Sequence, residues 1–372
     1  MGRCFEVDVK RIRRALQIET VKEAMPVWYA RNRRSLPWRR RRDPYAIWIS
    51  EIMLQQTRVA QAIPFYKRFM ERFPDVQSLA KASLDDLLKA WEGMGYYCRA
   101  RNLHRAARQI VEEFNGKLPG TVDELLLLPG IGRYTAGAIA SIAFDHDEPV
   151  LDGNVMRVLC RIFAVIDDPK AKATQNRLWT LARDLIPPGK AGAFNQALME
   201  LGAMVCLPRN PRCDGCPVTT ICLARIRKIQ ADLPLKKKKS PVPHKTEAAG
   251  VVWKKGRILI CRRKPEGLLG GLWEIPGCEK RGGEPLEETL AKSIREKAGI
   301  EIRIDGPLVV VSHTYSHFHV TVSAFTCAWL SGRTRAGRGE ALKWVKPPDL
   351  ENYAFPAVVN KILAEVRYGG AP

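Results

Sequence analysis

Apolar residues recur at helical spacing through roughly the first 230 positions and give way to strand-like alternation after about 247. Val21, Ala24, Met25, Trp28 and Tyr29 share one helical face that ends near Asn32. Residues 1–20 are basic and weakly patterned, and read as an extension or as the start of that helix. Leu36-Pro37-Trp38 interrupts the pattern, and a second helix is predicted from Tyr45 to Thr57. Between 60 and 118, Phe65, Phe69, Phe73, Leu79, Leu84, Leu87, Leu88 and Trp91 continue the helical period and form a candidate core. Thr121 with Glu124 makes a capping box, and the helix behind it stops at Pro129. Gly130-Ile131-Gly132 then predicts a turn that glycines enter easily. A helix from about Arg133 carries the small residues Ala136, Gly137, Ala138, Ala140, Ser141 and Ala143, which allow close approach of a neighbour. Further helices run from after Asp152 to about Ala203.

From Glu247 the period changes. AAGVVWKKGRILICRR predicts a β-hairpin around Lys-Lys-Gly, and GLWEIPG a short strand. LEETLAKSIREKAGI reads as an amphipathic helix. PLVVVSHTYSHFHVTVSAFTCAWL holds two strands around a His-rich loop, and the chain ends in a helix. His313, His317 and His319 suggest a metal at first sight, but with no carboxylate beside them a surface or binding loop is the better reading. The expected organisation is an extension (1–20), an all-α region (21–229), a Lys/Pro linker (230–246) and an α+β domain (247–366).

Composition sharpens this outline. With 61 basic and 39 acidic residues the formal net charge is +22, which points to a polyanionic partner, most simply nucleic acid. No apolar run is long enough for a membrane span, and the first residues carry no secretory h-region, so a cytoplasmic protein is expected, nucleoid-associated if bacterial. Arg39–Arg42 is either a solvated loop or a phosphate contact.

Four of the ten cysteines, Cys206, Cys213, Cys216 and Cys222, lie within seventeen residues at x6-x2-x5 spacing. In a reducing compartment this suggests metal ligation. Zinc and a [4Fe–4S] cluster are both open, although the wide outer spacings suit the cluster better. Glu51 sits in the nearly apolar window Ile47–Leu54. There it is either solvated or buried with a raised pKa suited to proton transfer. The Gly130–Gly132 turn is either a tight helical hairpin with no ligand or, with backbone N–H groups aimed outward at a helix start, a phosphate site. Asp152 is either a helix cap or a functional carboxylate. The loop Gly93–Tyr97 carries Met94 and Tyr96 beside arginines, and either packs or wedges between bases.

SEIMLQQTRV, GMGYYCRARNLH, LPGIGRYTAGAIASIAF, VLDGNVMRV and the cysteine loop, in this order, closely resemble the adenine DNA glycosylases (MutY family) of the helix–hairpin–helix superfamily. The resemblance covers roughly residues 20–366. It implies a multidomain fold: an all-α glycosylase region, with a six-helix barrel module at about 60–150 and a cluster module from about 21–59 plus 151–229 whose [4Fe–4S] loop is ligated by the four cysteines, then an α+β Nudix-like domain. It implies base-excision repair, with adenine hydrolysed from mispairs with 8-oxoguanine or guanine in duplex DNA. Glu51 would be the general acid, and Asp152 would stabilise the oxocarbenium-like sugar, as paired carboxylates do in glycoside hydrolysis. Tyr134 and Asn154 would position them. Trp38, Arg39, Leu54, Gln196 and Met199 would line the adenine pocket. Gln56, Thr57, Met94, Tyr96, Gly130 and Gly132 would meet DNA. Lyase-active relatives carry lysine where this chain has Tyr134, which cannot form a Schiff base, so a monofunctional enzyme leaving an abasic site is implied. The catalytic Nudix box is degenerate at Lys292–Lys297. Instead Tyr315, Ser316 and His317 would recognise 8-oxoguanine, with tyrosine where the family has phenylalanine. A monomer is expected, and the linker reads first as a solvated tether and otherwise as a place for DNA or repair-protein contacts. Two rival readings are a pyrimidine-directed glycosylase on the same scaffold and a non-enzymatic lesion-binding protein. Tyr134 and the C-terminal domain disfavour the first, and retention of both carboxylates disfavours the second.

Overall fold

A proline or a polar side chain starts many of the helices, and the helical period then decides what each one buries. The computed structural model describes residues 2–235, 241–280, 282–315, 317–337 and 341–369. The chain forms two compact units. One contains 1–80 and 105–239, the other 81–104 and 240–372. Residues 81–104 therefore pack with the C-terminal part of the chain, a grouping that the periodicity did not suggest.

In the first unit, α1 (Gly2–Asn32) runs unbroken through the segment read as an extension. α2 (Pro44–Leu54) is capped by Asp43, whose carboxylate accepts from the Tyr45 N–H, and Pro44 occupies the first helical turn. It is buried from Tyr45 to Met53, Glu51 included. α3 (Val59–Arg72) and α4 (Val76–Lys81) follow. α5 (Leu84–Ala90) and the start of α6 (Cys98–Glu113) belong to the second unit.

α7 (Val122–Leu126) is one short turn, capped by Thr121 through the Glu124 N–H. α8 (Arg133–Phe144) then starts after the glycine turn. Of the two glycines only Gly130 is left-handed, with φ 82°. Gly132 has φ −101° and ψ 177°, extended backbone open to any residue, so conformation does not require glycine there. A side chain at 132 would meet nothing within 4 Å, which leaves its backbone bare to an approaching group.

α9 (Gly153–Ile162), α10 (Lys172–Asp184) and α11 (Ala191–Met204) complete the helical core, and α12 (Leu223–Ile226) follows the cysteine loop. α11 packs on α1, α8 and α9, and α8 on α2. Close approach is literal at the α11 glycines Gly192 and Gly202. A Cβ on Gly192 would lie 2.4 Å from the Ser141 carbonyl oxygen, and one on Gly202 2.6 Å from Asn154 Cβ. Val155, Val158, Leu159, Leu198 and Leu201 form the centre of this core.

In the second unit, β1 (His244–Lys254) and β2 (Arg257–Arg262) form the expected hairpin, with Lys255 and Gly256 both left-handed at the turn. β3 (Trp273–Glu274) pairs with β2 and β4 (Gly277–Glu279) with β1. α13 (Leu286–Ala298) ends at Gly299, φ 71°. β5 (Ile300–Thr314) and β6 (His319–Gly332) are antiparallel, and β6 runs parallel to β1. β7 (Ala341–Val345) pairs with β2, and α14 (Ala357–Gly369) ends the described chain. The result is a mixed sheet of order β3-β2-β1-β6-β5, with one apolar cluster beneath α14 and another beneath α13. Among the described residues, no helix is long and apolar enough to cross a membrane.

Candidate active site

A cavity of about 590 Å3 opens in the first unit between α1, α2, α8, α9 and α11. Glu51 and Leu54 enter it from α2, Tyr134 from α8, Asp152 and Asn154 from the start of α9, and Gln196, Met199 and Glu200 from α11. Trp38 and Arg39 come from the turn before α2, and Gln56 and Thr57 from the loop after it. Residues scattered over more than 160 positions thus meet in one space.

Glu51 is only 6 % exposed. Burial pushes its carboxyl up to about 7; a hydrogen bond from Tyr134 opposes this, the Asp152 charge adds to it, and Arg39 counters it. Tyr134 donates its hydroxyl to Glu51 Oε2 at 2.6 Å, with Met199 Sδ 3.4 Å from the same hydroxyl. Burial also raises the Tyr134 pKa, helped by the nearby carboxylates, so this hydroxyl stays a donor.

Asp152 is the N-cap of α9. Its Oδ1 accepts from the Val155 N–H at 2.7 Å and its Oδ2 from Asn154 Nδ2 at 2.8 Å. Burial raises its pKa, and these donors with Arg157 pull against that rise. Capping and presentation to the cavity are therefore one role, because the cap bonds fix where the carboxylate stands. Asn154 is held in turn by Arg157 Nη2 at 2.9 Å, and Arg157 Nε donates to the Cys206 carbonyl at 2.7 Å.

Glu200 was not foreseen. It is 1 % exposed and receives the Arg34 N–H at 2.9 Å, Arg34 Nε at 2.8 Å, Arg34 Nη2 at 2.9 Å and Arg39 Nη2 at 2.9 Å. Burial pushes its carboxyl up, but the Arg34 and Arg39 hydrogen bonds outweigh that and hold it at about 2. Its signal in the sequence is the one that marked Glu51, a single carboxylate in an apolar helical stretch (Leu198 to Met204). Gln196 Oε1 accepts from the Tyr29 hydroxyl at 3.1 Å, and Arg39 lies over the Tyr29 ring at 5.6 Å.

The four cysteines line a separate small cavity with Val158, Ile162, Leu201 and Val218. Arg161 reaches into it: Nη1 lies 3.3 Å from Cys206 Sγ, and Nη2 is buried without a hydrogen-bond partner. Four thiols, an apolar wall and a guanidinium with one nitrogen left unpartnered fit an anionic thiolate-ligated group.

Of the remaining candidates, Met94, Tyr96, Tyr315 and His317 belong to the second unit and Gly130 and Gly132 to the first. Met94 is 4 % exposed, so the loop packs it rather than presenting it, while Tyr96 is half-buried in a left-handed conformation, φ 49°. Tyr315 donates its N–H to the Phe318 carbonyl at 2.9 Å, closing the hairpin between β5 and β6. Its ring lies edge-on to His313 and tilted against Phe318. His317 is exposed, and Ser316 lies outside the described residues, as do the linker lysines 236–239. Gly130 and Gly132 are both exposed at the start of α8.

Residues 49–184 match the HhH-GPD superfamily of base excision DNA repair proteins, and residues 248–365 the NUDIX domain. The chain is 37% identical over 390 residues to the adenine DNA glycosylase of Rattus norvegicus, covering 90% of this chain and 75% of that one. It is 39% identical over 340 residues to the adenine DNA glycosylase of Buchnera aphidicola (strain Sg), covering 90% and 95%. Among solved structures, a thermostable thymine-DNA glycosylase superposes with a TM-score of 0.52 at 30% identity, over 59% of this chain and 99% of that one. An endonuclease III–DNA covalent intermediate shares the helical fold at TM-score 0.50 and 22% identity, over 57% and 98%. With Glu51 and Asp152 facing one cavity and relatives that match 90% of its length, the chain belongs to the adenine DNA glycosylases, DNA-binding enzymes of base excision repair.

Proposed function

We propose that this enzyme hydrolyses adenine from A:8-oxoguanine and A:G mispairs in duplex DNA, without strand cleavage. The observation that carries the reading is the Tyr134–Glu51 hydrogen bond at 2.6 Å in a cavity shared with Asp152. With a pKa of about 7, Glu51 holds a proton at neutral pH for delivery to N7 of an extruded adenine. The N-glycosidic bond then breaks, with its electron pair leaving on the base. Asp152, fixed by Val155 and Asn154, stands as the carboxylate for the cationic sugar. Water adds at the sugar carbon and returns a proton to Glu51, giving free adenine and an abasic site. Tyr134 supplies no amine, so no Schiff base forms and no β-elimination follows.

Trp38, Arg39, Leu54, Gln196 and Met199 are the proposed base-pocket walls. Gly130 and Gly132 are assigned to the phosphate backbone, and Gln56, Thr57 and Tyr96 to the distorted duplex; Met94 would first have to leave its packed position. Extrusion costs a few kcal/mol, less at a mispair. Tyr315 and His317, with Ser316, are the proposed reader of 8-oxoguanine. Cys206, Cys213, Cys216 and Cys222 would hold a [4Fe–4S] cluster, which supplies a structural, anionic centre that Arg161 neutralises. A cytoplasmic monomer is the proposed state.

Single-turnover cleavage separates the readings. Excision should be fastest on A:8-oxoguanine and slower on A:G, with no strand breaks unless alkali is added. Faster reaction on T:G or thymine-glycol duplexes would sink the substrate assignment, and breaks without alkali the monofunctional one.

A further inference from the structure

Residues 81–104 lie inside the HhH-GPD match, yet they pack in one unit with residues 240–372. Glu92 is the centre of that attachment. Its Oε1 accepts from the Phe355 N–H at 3.0 Å and from Asn360 Nδ2 at 2.8 Å. Its Oε2 accepts from Lys89 Nζ at 2.6 Å, and the same ammonium donates to the Tyr353 carbonyl at 3.1 Å. Phe355 and Asn360 flank the first turn of α14, where a carboxylate is favoured by the helix dipole. A second tie runs from Arg101 Nη1 to the Gly270 carbonyl at 2.5 Å.

Each side of the Glu92 contact leads to a candidate DNA element. Val358, Val359 and Ile362 of α14 belong to the apolar cluster against which Tyr315 and Phe318 pack. On the other side, Glu92 directly precedes the loop Gly93–Tyr96. That loop is braced internally: Trp91 Nε1 donates to the Gly95 carbonyl at 3.1 Å, and Arg99 Nη2 to the Met94 and Gly95 carbonyls at 3.2 and 3.1 Å. Gly93, Gly95 and Tyr96 are all left-handed. A loop stiffened in this way moves as a piece, and its position is set where it is attached.

We propose that Glu92 is a positioning residue that latches the Gly93–Tyr96 loop to α14, so that Tyr96 follows the position of the Tyr315 hairpin. The inference rests on the assignment of Tyr96 to the distorted duplex and of Tyr315 to the base opposite adenine. It makes Glu92 a determinant of specificity: seating of 8-oxoguanine at Tyr315 would be passed to the loop that holds the duplex open. Truncation of Glu92 should uncouple the two. Glutamine keeps the acceptor for Phe355 and Asn360 while losing the Lys89 ion pair, and so should restore part of the coupling.

The test uses the full chain. Hydrogen exchange is followed over residues 91–97 and 353–362 in wild type, Glu92→Ala, Glu92→Gln and the milder Asn360→Ala, together with single-turnover excision from A:8-oxoguanine and A:G. Glu92→Ala should speed exchange in both segments and lower the A:8-oxoguanine rate about tenfold relative to A:G, with Glu92→Gln and Asn360→Ala between it and wild type. A role confined to stability would lower both rates by the same factor. That result, or unchanged exchange at 91–97, overturns the latch. Equal wild-type rates on the two duplexes would sink the 8-oxoguanine reading itself, and the paired exchange response would still decide the latch.

Discussion

Two corners of one cavity hold a buried glutamate each, and they solve burial in opposite ways. At one, Glu51 has a single close donor, Tyr134, and its carboxyl rises to about 7. At the other, Glu200 is gripped by Arg34 and Arg39 and held at about 2. Burial penalises the anion at both, and the number of cationic donors decides which effect wins. The first corner is equipped to move a proton. The second cannot be at neutral pH, and instead fixes two guanidinium groups in the cavity wall.

The comparison breaks most directly at Glu51. Replacing it with glutamine should lower single-turnover adenine excision by about 10³-fold or more while mispair affinity in a gel-shift assay stays near wild type. The same substitution should stabilise the protein at high pH. A folded-state pKa raised from the usual 4.5 to about 7 means that stability is lost as pH rises between those values, by roughly 3 kcal/mol. Unfolding of Glu51→Gln and wild type at pH 8 reads that gain.

Glu200→Ala should behave in the reverse sense. Two cavity arginines lose their anion, so stability should fall by about 3–5 kcal/mol, seen in denaturant unfolding at pH 7. With its pKa depressed to about 2, the wild-type contribution is complete above pH 4.5 and fades as pH falls toward 2. The gap between wild type and variant should therefore narrow in acid. A gap that is the same at pH 3 and pH 7 would contradict the ion-pair account.

The two corners also show what the chain discloses in one dimension. Glu51, the cysteine spacing, the Lys255–Gly256 hairpin turn and the Asp152 cap are local signals, each set by a few neighbouring residues. Glu200 carried the same local mark as Glu51 but went unread, because Arg34 and Arg39, which define it, lie more than 160 positions away. Nonlocal pairing likewise hid the parallel contact of β1 with β6 and the membership of 81–104 in the C-terminal unit. Met94 sits in a loop whose residues allowed either packing or insertion between bases, and the loop packs it inward. Gly132 looked conformationally required, yet its backbone is extended, and what it offers is open space.

The central claim is that a protonated, buried Glu51 delivers the proton that releases adenine. The pH dependence of single-turnover excision, measured for wild type and Tyr134→Phe, tests it most directly. The wild-type rate should be level in mild acid and fall about tenfold per pH unit above about 7, as the carboxyl ionises. Loss of the Tyr134 hydroxyl, which favours the anion, should move that fall to higher pH. A wild-type rate that stays flat through pH 9, or a fall that the Tyr134→Phe variant leaves in place, would contradict the account.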